Sequence, residues 1–204
     1  MSKIRFTKGE LKRQRDALVQ FEHYLPFLQL KKQQLQLEVQ RIYREISLKL
    51  QQIDSLKDEI NKWAGLLNEG TEEVAKWVRK GKVVKTGINI AGVDLPVFER
   101  VEFEDSEYDL FLTPLWIDIA ITKIRDLVMF LEEEKVMKEQ IRILKHELRI
   151  TTQRINLFEK IKIPESKENV RLIRIYLGDQ QTNAVGRSKM AKSKIEAMVL
   201  EGVA

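Results

Sequence analysis

From Leu11 to Leu67 one set of positions recurs alternately three and four residues apart: Leu11, Gln14, Leu18, Phe21, Leu25, Leu28, Lys32, Leu35, Val39, Ile42, Ile46, Lys49, Ile53, Leu56, Ile60, Trp63 and Leu67. All but Gln14, Lys32 and Lys49 are apolar. A 3.5-residue repeat held over about eight heptads predicts a helix that supercoils left-handed around a partner, whereas a helix of a globular domain would drift towards 3.6. Asn68, Glu69 and Gly70 supply its stop. Pro26 removes one hydrogen bond inside this helix and is expected to bend it near Glu22.

A second periodic stretch opens after Thr113, a helix cap, with Pro114 at the first helical position. It carries Ile117, Ile121, Ile124, Val128 and Leu131, slips phase around Glu132 to Glu134, and resumes at Met137, Ile141, Leu144, Leu148, Thr151, Ile155 and Phe158. Such a slip changes the local supercoil pitch. Pro164 is expected to interrupt this helix as Pro26 interrupts the first. Two helices of similar length joined by a compact insert predict a mostly α fold, a long antiparallel left-handed two-helix coiled coil. Its seam would hold Leu35, Ile42, Ile46 and Ile53 against Leu144, Leu148 and Ile155.

The insert reads differently. Residues 71–80 suggest a short helix capped by Thr71, with Glu72 and Glu73 in its positive first turn. Beyond Gly81 the period becomes two: Val84, Thr86, Ile88 and Ile90 share one face, then Leu95, Val97, Val101 and Phe103 share another, with Glu99 the exception. Residues 91–94 make the turn, and Pro96 marks the second strand as an edge. A lone hairpin is marginal in water, so its apolar face must be covered by the short helix or by another protein. The expected organisation is a coiled-coil shaft from residues 1–69 and 114–204, with a head of short helix plus β-hairpin at 70–113. Val84, Ile88, Ile90 and Val97 are the head's candidate partner-binding residues; a cap that merely stabilises the bend is the other reading.

Composition sharpens this picture at two points. With 33 % charged residues, 4 Pro and 9 Gly against 43 % hydrophobic residues, the core is a seam rather than a ball. The net charge of +5 is unevenly spread. Lys3, Arg5, Lys8, Lys12, Arg13 and Arg15 lie near one terminus and Arg187, Lys189, Lys192 and Lys194 near the other, while Glu99, Glu102, Glu104, Asp105, Glu107 and Asp109 crowd the insert. An antiparallel hairpin would bring both basic ends to one tip and leave the acidic insert at the other.

Little chemistry accompanies the pattern. The absence of cysteine excludes disulfides and thiolate metal sites and fits a cytoplasmic setting. The start lacks a signal peptide's apolar stretch, and no run of eighteen apolar residues occurs, so no direct membrane insertion is expected. "GKVVKTG" lacks the spacing of a phosphate loop. His23 and His146, the two histidines, would lie far apart in such a hairpin and read as solvated helix residues, and the carboxylates of Glu132, Glu133 and Glu134 point in different directions and read as a solvated surface. Trp63, Trp77 and Trp116 are expected to seal the head. The basic ends could meet phosphates, yet neither interleaved aromatic residues nor a groove-reading motif goes with them. The expectation is no catalytic residue, no metal, no cofactor and no nucleic acid.

Several segments match a known family. "FTKGEL" and "LQLKKQQL" resemble the opening Thr-Lys-x-Glu-Leu and Leu-x-Leu-Lys-basic stretches of the D subunit of the V-type (V/A-type) rotary ATPases, and "NIAGVDLPVF" is similar to that family's Gly-Val-x-x-Pro hairpin. "TTQRINLFEKIKIPESKENVRLIRIYL" resembles its most specific segment, carried here by Arg154, Ile155, Asn156, Glu159, Ile163 and Pro164. One departure is "LGDQQTNAVG", where a charged stretch is usual and where Gly178 and Gly186 are potential breaks in the terminal helix. The resemblance implies a non-catalytic central-stalk rotor shaft, peripheral to the membrane. Its tip enters the hexamer of A and B subunits, its flank carries the F subunit, and its foot rests on the C (or d) subunit above the ion-carrying ring. Lys8, Lys12, Arg13, Lys189 and Lys192 would then lie on the tip inside the hexamer. The rival reading is a free-standing coiled-coil scaffold or a nucleic-acid-associated protein.

Overall fold

The computed structural model describes residues 5–63, 65, 77–104 and 116–201. The elements in chain order are α1 (Lys8–Trp63), β1 (Lys80–Ile90), β2 (Val93–Phe103), α2 (Trp116–Leu157), a π-helical turn (Phe158–Lys162) and α3 (Ile163–Glu201). The fold is mostly α, with antiparallel coiled-coil pairing and one β-hairpin, and the chain divides into two compact units, Met1–Leu30 with Thr152–Ala204, and Lys31–Thr151.

α1 begins at a capping signature. Thr7 Oγ1 accepts a hydrogen bond from the Glu10 N–H at 3.2 Å, and its carbonyl accepts one from the Leu11 N–H at 3.0 Å, which satisfies donors the first turn would leave orphaned. The Thr-x-x-Glu spacing is visible in the sequence and starts the helix three residues before the first heptad position. Pro26 lies within the unbroken helix.

Pro164 has a more local effect than an interruption. It has no N–H for the Lys160 carbonyl, and an α-helical turn would press its ring against that carbonyl. The backbone widens to a π-turn just before it, with the Ile163 N–H bonded to the Phe158 carbonyl, and the helix resumes as α3. Gly178 and Gly186 do not stop α3, which continues to Glu201. Each glycine costs roughly 1 kcal/mol relative to alanine, and with no proline in this stretch neither compels an end.

In the unit 31–151, α1 and α2 run antiparallel. Their ionic contacts advance along α1 as they retreat along α2: Lys31 to Glu147 at 3.3 Å, Lys49 to Glu133 at 2.9 Å, Glu59 to Lys123 at 2.9 Å. Leu35, Ile42, Ile53 and Leu144 are almost wholly buried. The hairpin lies on this pair: Val93 and Leu95 share one cluster with Leu35, Val39, Ile42, Ile46, Ile141 and Leu144, with Ile90 and Ala91 packed against it. The Gln140 side chain donates to the Pro96 carbonyl at 2.6 Å. At its tip the hairpin is therefore covered by the coiled coil of its own chain, which corrects the expectation that the short helix or another protein must cover it. Most of residues 71–80 lie outside the described residues. Trp77 and Val78 do pack with Trp116, Ile117 and Ile121, and the Trp63 side chain is not among those described.

The strands join through a two-residue turn, Ala91 and Gly92, at φ 52° and 75°. Positive φ at both positions matches the strand twist. Asn89 braces the turn, accepting from the Gly92 N–H at 3.1 Å and donating to Asp94 Oδ1 at 2.6 Å. Pairing is antiparallel, with irregularities between Lys80 and Val83 and between Val84 and Lys85. The second skips Glu99, the residue that breaks the apolar alternation, so a bulge absorbs the exception. At the first, a Cβ on Gly81 would sit 2.8 Å from the Glu102 carbonyl oxygen. Gly81→Ala should cost about 1–3 kcal/mol through that backbone clash, read as a lowered melting temperature, while Gly87→Ala, with open space around it, should cost less.

In the other unit, α1 again faces an antiparallel partner: Phe6 meets Tyr176 with ring centroids 5.0 Å apart, Gln14 meets Asn169 at 3.4 Å, and Glu22 meets Lys167 at 2.9 Å. Ile155, Val170 and Ile173 are buried, whereas Leu11, Leu18, Phe21, Leu25 and Leu28 are only half-buried. Two helices alone cover one another on a single side. The third layer supplied by the hairpin is what encloses the seam in the unit 31–151.

Candidate interaction surfaces

The seam residues divide by depth. Leu35, Ile42, Ile46, Ile53, Leu144 and Ile155 are buried, and Leu148 is half-buried. One polar seam position, Lys49, and one residue beside the seam, Lys31, are used rather than tolerated. Lys49 keeps its ammonium 2.9 Å from Glu133 and 4.5 Å from the Phe130 ring centroid, so its stem lies in the seam while its charge is paired. Lys31 reaches Glu147, and a Cβ on Gly92 would stand 3.9 Å from the same ammonium.

The Glu132–Glu134 run is not the solvated surface the sequence suggested. Glu132 and Glu134 are buried, 9 % and 7 % exposed, paired at 2.7 Å with Lys135 and Lys138, while Glu133 takes Lys49. From Lys123 to Glu134 every residue of α2 is at least half-buried, so this helix is packed on all sides there. A simple seam pattern has no room for that, which is why the apolar phase slips at this point. Arg125 anchors the hairpin base, donating to the Trp77 carbonyl at 3.0 Å with its guanidinium 5.2 Å from the Phe103 ring centroid. At the Glu59–Lys123 pair, the hydrogen bond and the charge of Lys123 hold the Glu59 carboxyl below its usual range, and Glu59 raises Lys123. By linkage, what this adds to stability is present above the ordinary carboxylate pKa and lost as pH falls through the lowered one.

The hairpin residues lie at graded depth. Ile90 and Val97 are half-buried, and Val84, paired with Arg100, is half-buried as well. Ile88 is 48 % exposed, although its cross-strand partner Leu95 is only 2 % exposed. A cleft of about 250 Å³ opens beside it, lined by hairpin, α1 and α2 residues.

The cations Lys8, Lys12, Arg13, Lys189 and Lys192 are all exposed. Lys8 lines a groove with Tyr176 and Arg187, so the start of α1 and the course of α3 do meet. Lys189 and Lys192 are not among the residues that line this groove and follow its last one, Arg187, by two and five positions. They lie more than ten residues beyond Tyr176, roughly 20 Å further along the helix axis. Every described residue of α3 from Gly178 to Val199 is exposed, including Val185, Met190, Ile195 and Met198. The chain thus carries a single helix with apolar and basic residues and no partner among the described residues. Sequence reasoning located the charges there but not the solitary helix. His23 is exposed beside Tyr24 and Phe27. Among the described residues no helix is long and apolar enough to cross a membrane.

Comparison with known proteins bears on all of these surfaces at once. Residues 10–193 match the family described as the ATP synthase D subunit. The V-type ATP synthase D subunit of Borreliella burgdorferi is 46 % identical over 195 residues, covering 96 % of each chain. That of Chlamydia felis is 36 % identical over 197 residues, 96 % of this chain and 95 % of the relative.

Proposed function

Since the chain belongs to the family of ATP synthase D subunits, we propose that it is the non-catalytic central shaft of a V-type rotary ATPase, transmitting torque between the A–B hexamer and the membrane ring. The shaft is taken as residues 1–69 and 114–204 and the head as 70–113. One observation carries the reading: two antiparallel helices locked over a buried Leu/Ile seam lead into a solitary, exposed basic helix. A rod that turns must resist twisting, and two helices interlocked by knobs in holes do so better than one. A tip that must pass through several angles in a socket should offer charge and small apolar contacts rather than one deep pocket, because a deep contact would hold it at one angle. α3 beyond Gly178 has that character. Lys8, Lys12, Arg13, Lys189 and Lys192 meet the hexamer, the hairpin surface around Val84, Ile88, Ile90 and Val97 meets a neighbouring stalk protein, and the F and C/d subunits are its stalk partners. The scaffold and nucleic-acid readings lose their ground with the family.

The test is co-purification of the tagged chain with mass identification of what comes with it. Recovery of A, B, F and C/d subunits, with ATP hydrolysis in the complex and none in the chain alone, is the expected result. Recovery of the chain without ATP-hydrolysing subunits, or its tight, salt-sensitive binding to duplex DNA, would overturn the reading.

A further inference from the structure

We propose that the cleft beside Ile88 receives a long aliphatic side chain flanked by lysine or arginine from a partner polypeptide, an inference that rests on the docking role given to the hairpin above and names the chemistry of its occupant. The apolar face of the hairpin is covered only in part. Leu95 is sealed at 2 % exposed while Ile88, directly across from it, remains 48 % exposed, so burial on this face stops between Ile90, which is half-buried, and Ile88. The gap it leaves, about 250 Å³, has walls of Ile42, Val97, Val136 and Met137. That is below the size of ordinary small-molecule pockets, roughly 300–1,000 Å³, and suits one or two side chains.

The rim selects the sign of the occupant. Glu38, Glu45 and Glu133 line the cleft, and Arg41 is the one cation among its described lining residues. Arg41 is shared between Glu38 at 3.1 Å and Glu45 at 3.3 Å, and Glu133 is held by Lys49. Three carboxylates against these two cations leave the rim negative. Glu38 Oε1 is buried and lies 3.1 Å from the Arg41 guanidinium without hydrogen-bond alignment, which leaves it open to a better-aligned donor from a partner. A partner with positive charge beside its aliphatic residue gains from this rim, and an acidic one is repelled.

The experiment uses the assembled complex, with a photo-reactive phenylalanine replacing Ile88 and the cross-linked peptide sequenced by mass spectrometry. The expected product is a peptide of another protein of the complex in which an aliphatic residue neighbours Lys or Arg. Its yield should fall about tenfold in a Glu38→Gln, Glu45→Gln background, the equivalent of one lost charge-assisted contact. It should rise with Arg41→Gln, which removes the competing cation and cannot be mimicked by poor folding. A partner peptide whose yield is indifferent to all three substitutions would overturn the basic occupant while leaving the docking role in place. Cross-links to a second copy of this chain, or none between chains, would overturn both.

Discussion

Leu144→Ala is expected to cost about 3–4 kcal/mol and to lower the melting temperature by roughly 10 °C. Leu144 is 0 % exposed and sits where three elements meet: Leu35, Val39, Ile42 and Ile46 from α1, Val93 and Leu95 from the hairpin, and Ile141 on its own helix. Deleting its side chain removes buried hydrocarbon and leaves a cavity. The penalty grows with the volume the walls fail to close, and walls contributed by two helices and a sheet cannot all move inward together. Leu148→Ala, one turn along the same seam but only half-buried, has solvent to fill the gap and should lose less than about 2 kcal/mol. Urea denaturation of both variants checks the pair. Equal losses would mean that the hairpin adds nothing to the enclosure of the core.

That contrast between neighbouring seam positions shows what one-dimensional pattern can and cannot deliver. The heptads from Leu11 onward, the switch to period two after Gly81 and the turn near Gly92 are legible because each is a local periodicity with a local physical cause. Which surface covers the hairpin is not, because an alternating strand announces an apolar face without naming its partner. The answer depends on the strands lying back along α1 and α2. The same blindness affects Glu132 and Glu134, whose burial comes from packing around the whole of α2 rather than from their own character. Pro164 announces a disturbance, but its form, one π-turn, depends on how the neighbouring carbonyls relax. Gly178 and Gly186 signal an end that α3 does not take, since helix propensity is a small penalty spread over a long element. For the interaction surfaces, residue type and charge are legible. Their grouping is not: the five cations separate into those along the paired helices and those on the solitary one.

That separation sets the expected behaviour of the charges. Replacing Lys8, Lys12, Arg13, Lys189 and Lys192 together by glutamine takes the formal net charge from +5 to 0 and, on the proposed shaft role, should slow association with the A–B hexamer by about 10- to 100-fold at low salt. Each single replacement should change the rate less than about threefold. The cations are exposed and stand in solvent, where each one's field is screened over about 10 Å at 0.1 M salt. They therefore act as separate contributions to one attractive field rather than as a single tight pair. Stability should hardly move, because the ion pairs lost, Arg13 with Glu10 at 3.9 Å and Lys192 with Glu196 at 3.7 Å, are surface pairs worth about 0–1 kcal/mol each. Stopped-flow association of the purified chain with a preassembled hexamer at two salt concentrations separates the cases. The two proteins should differ at low salt and converge at high salt, and an unchanged low-salt rate in the fivefold variant would show that the tip finds its socket by shape and apolar contact through Val185, Met190, Ile195 and Met198, with charge as a bystander.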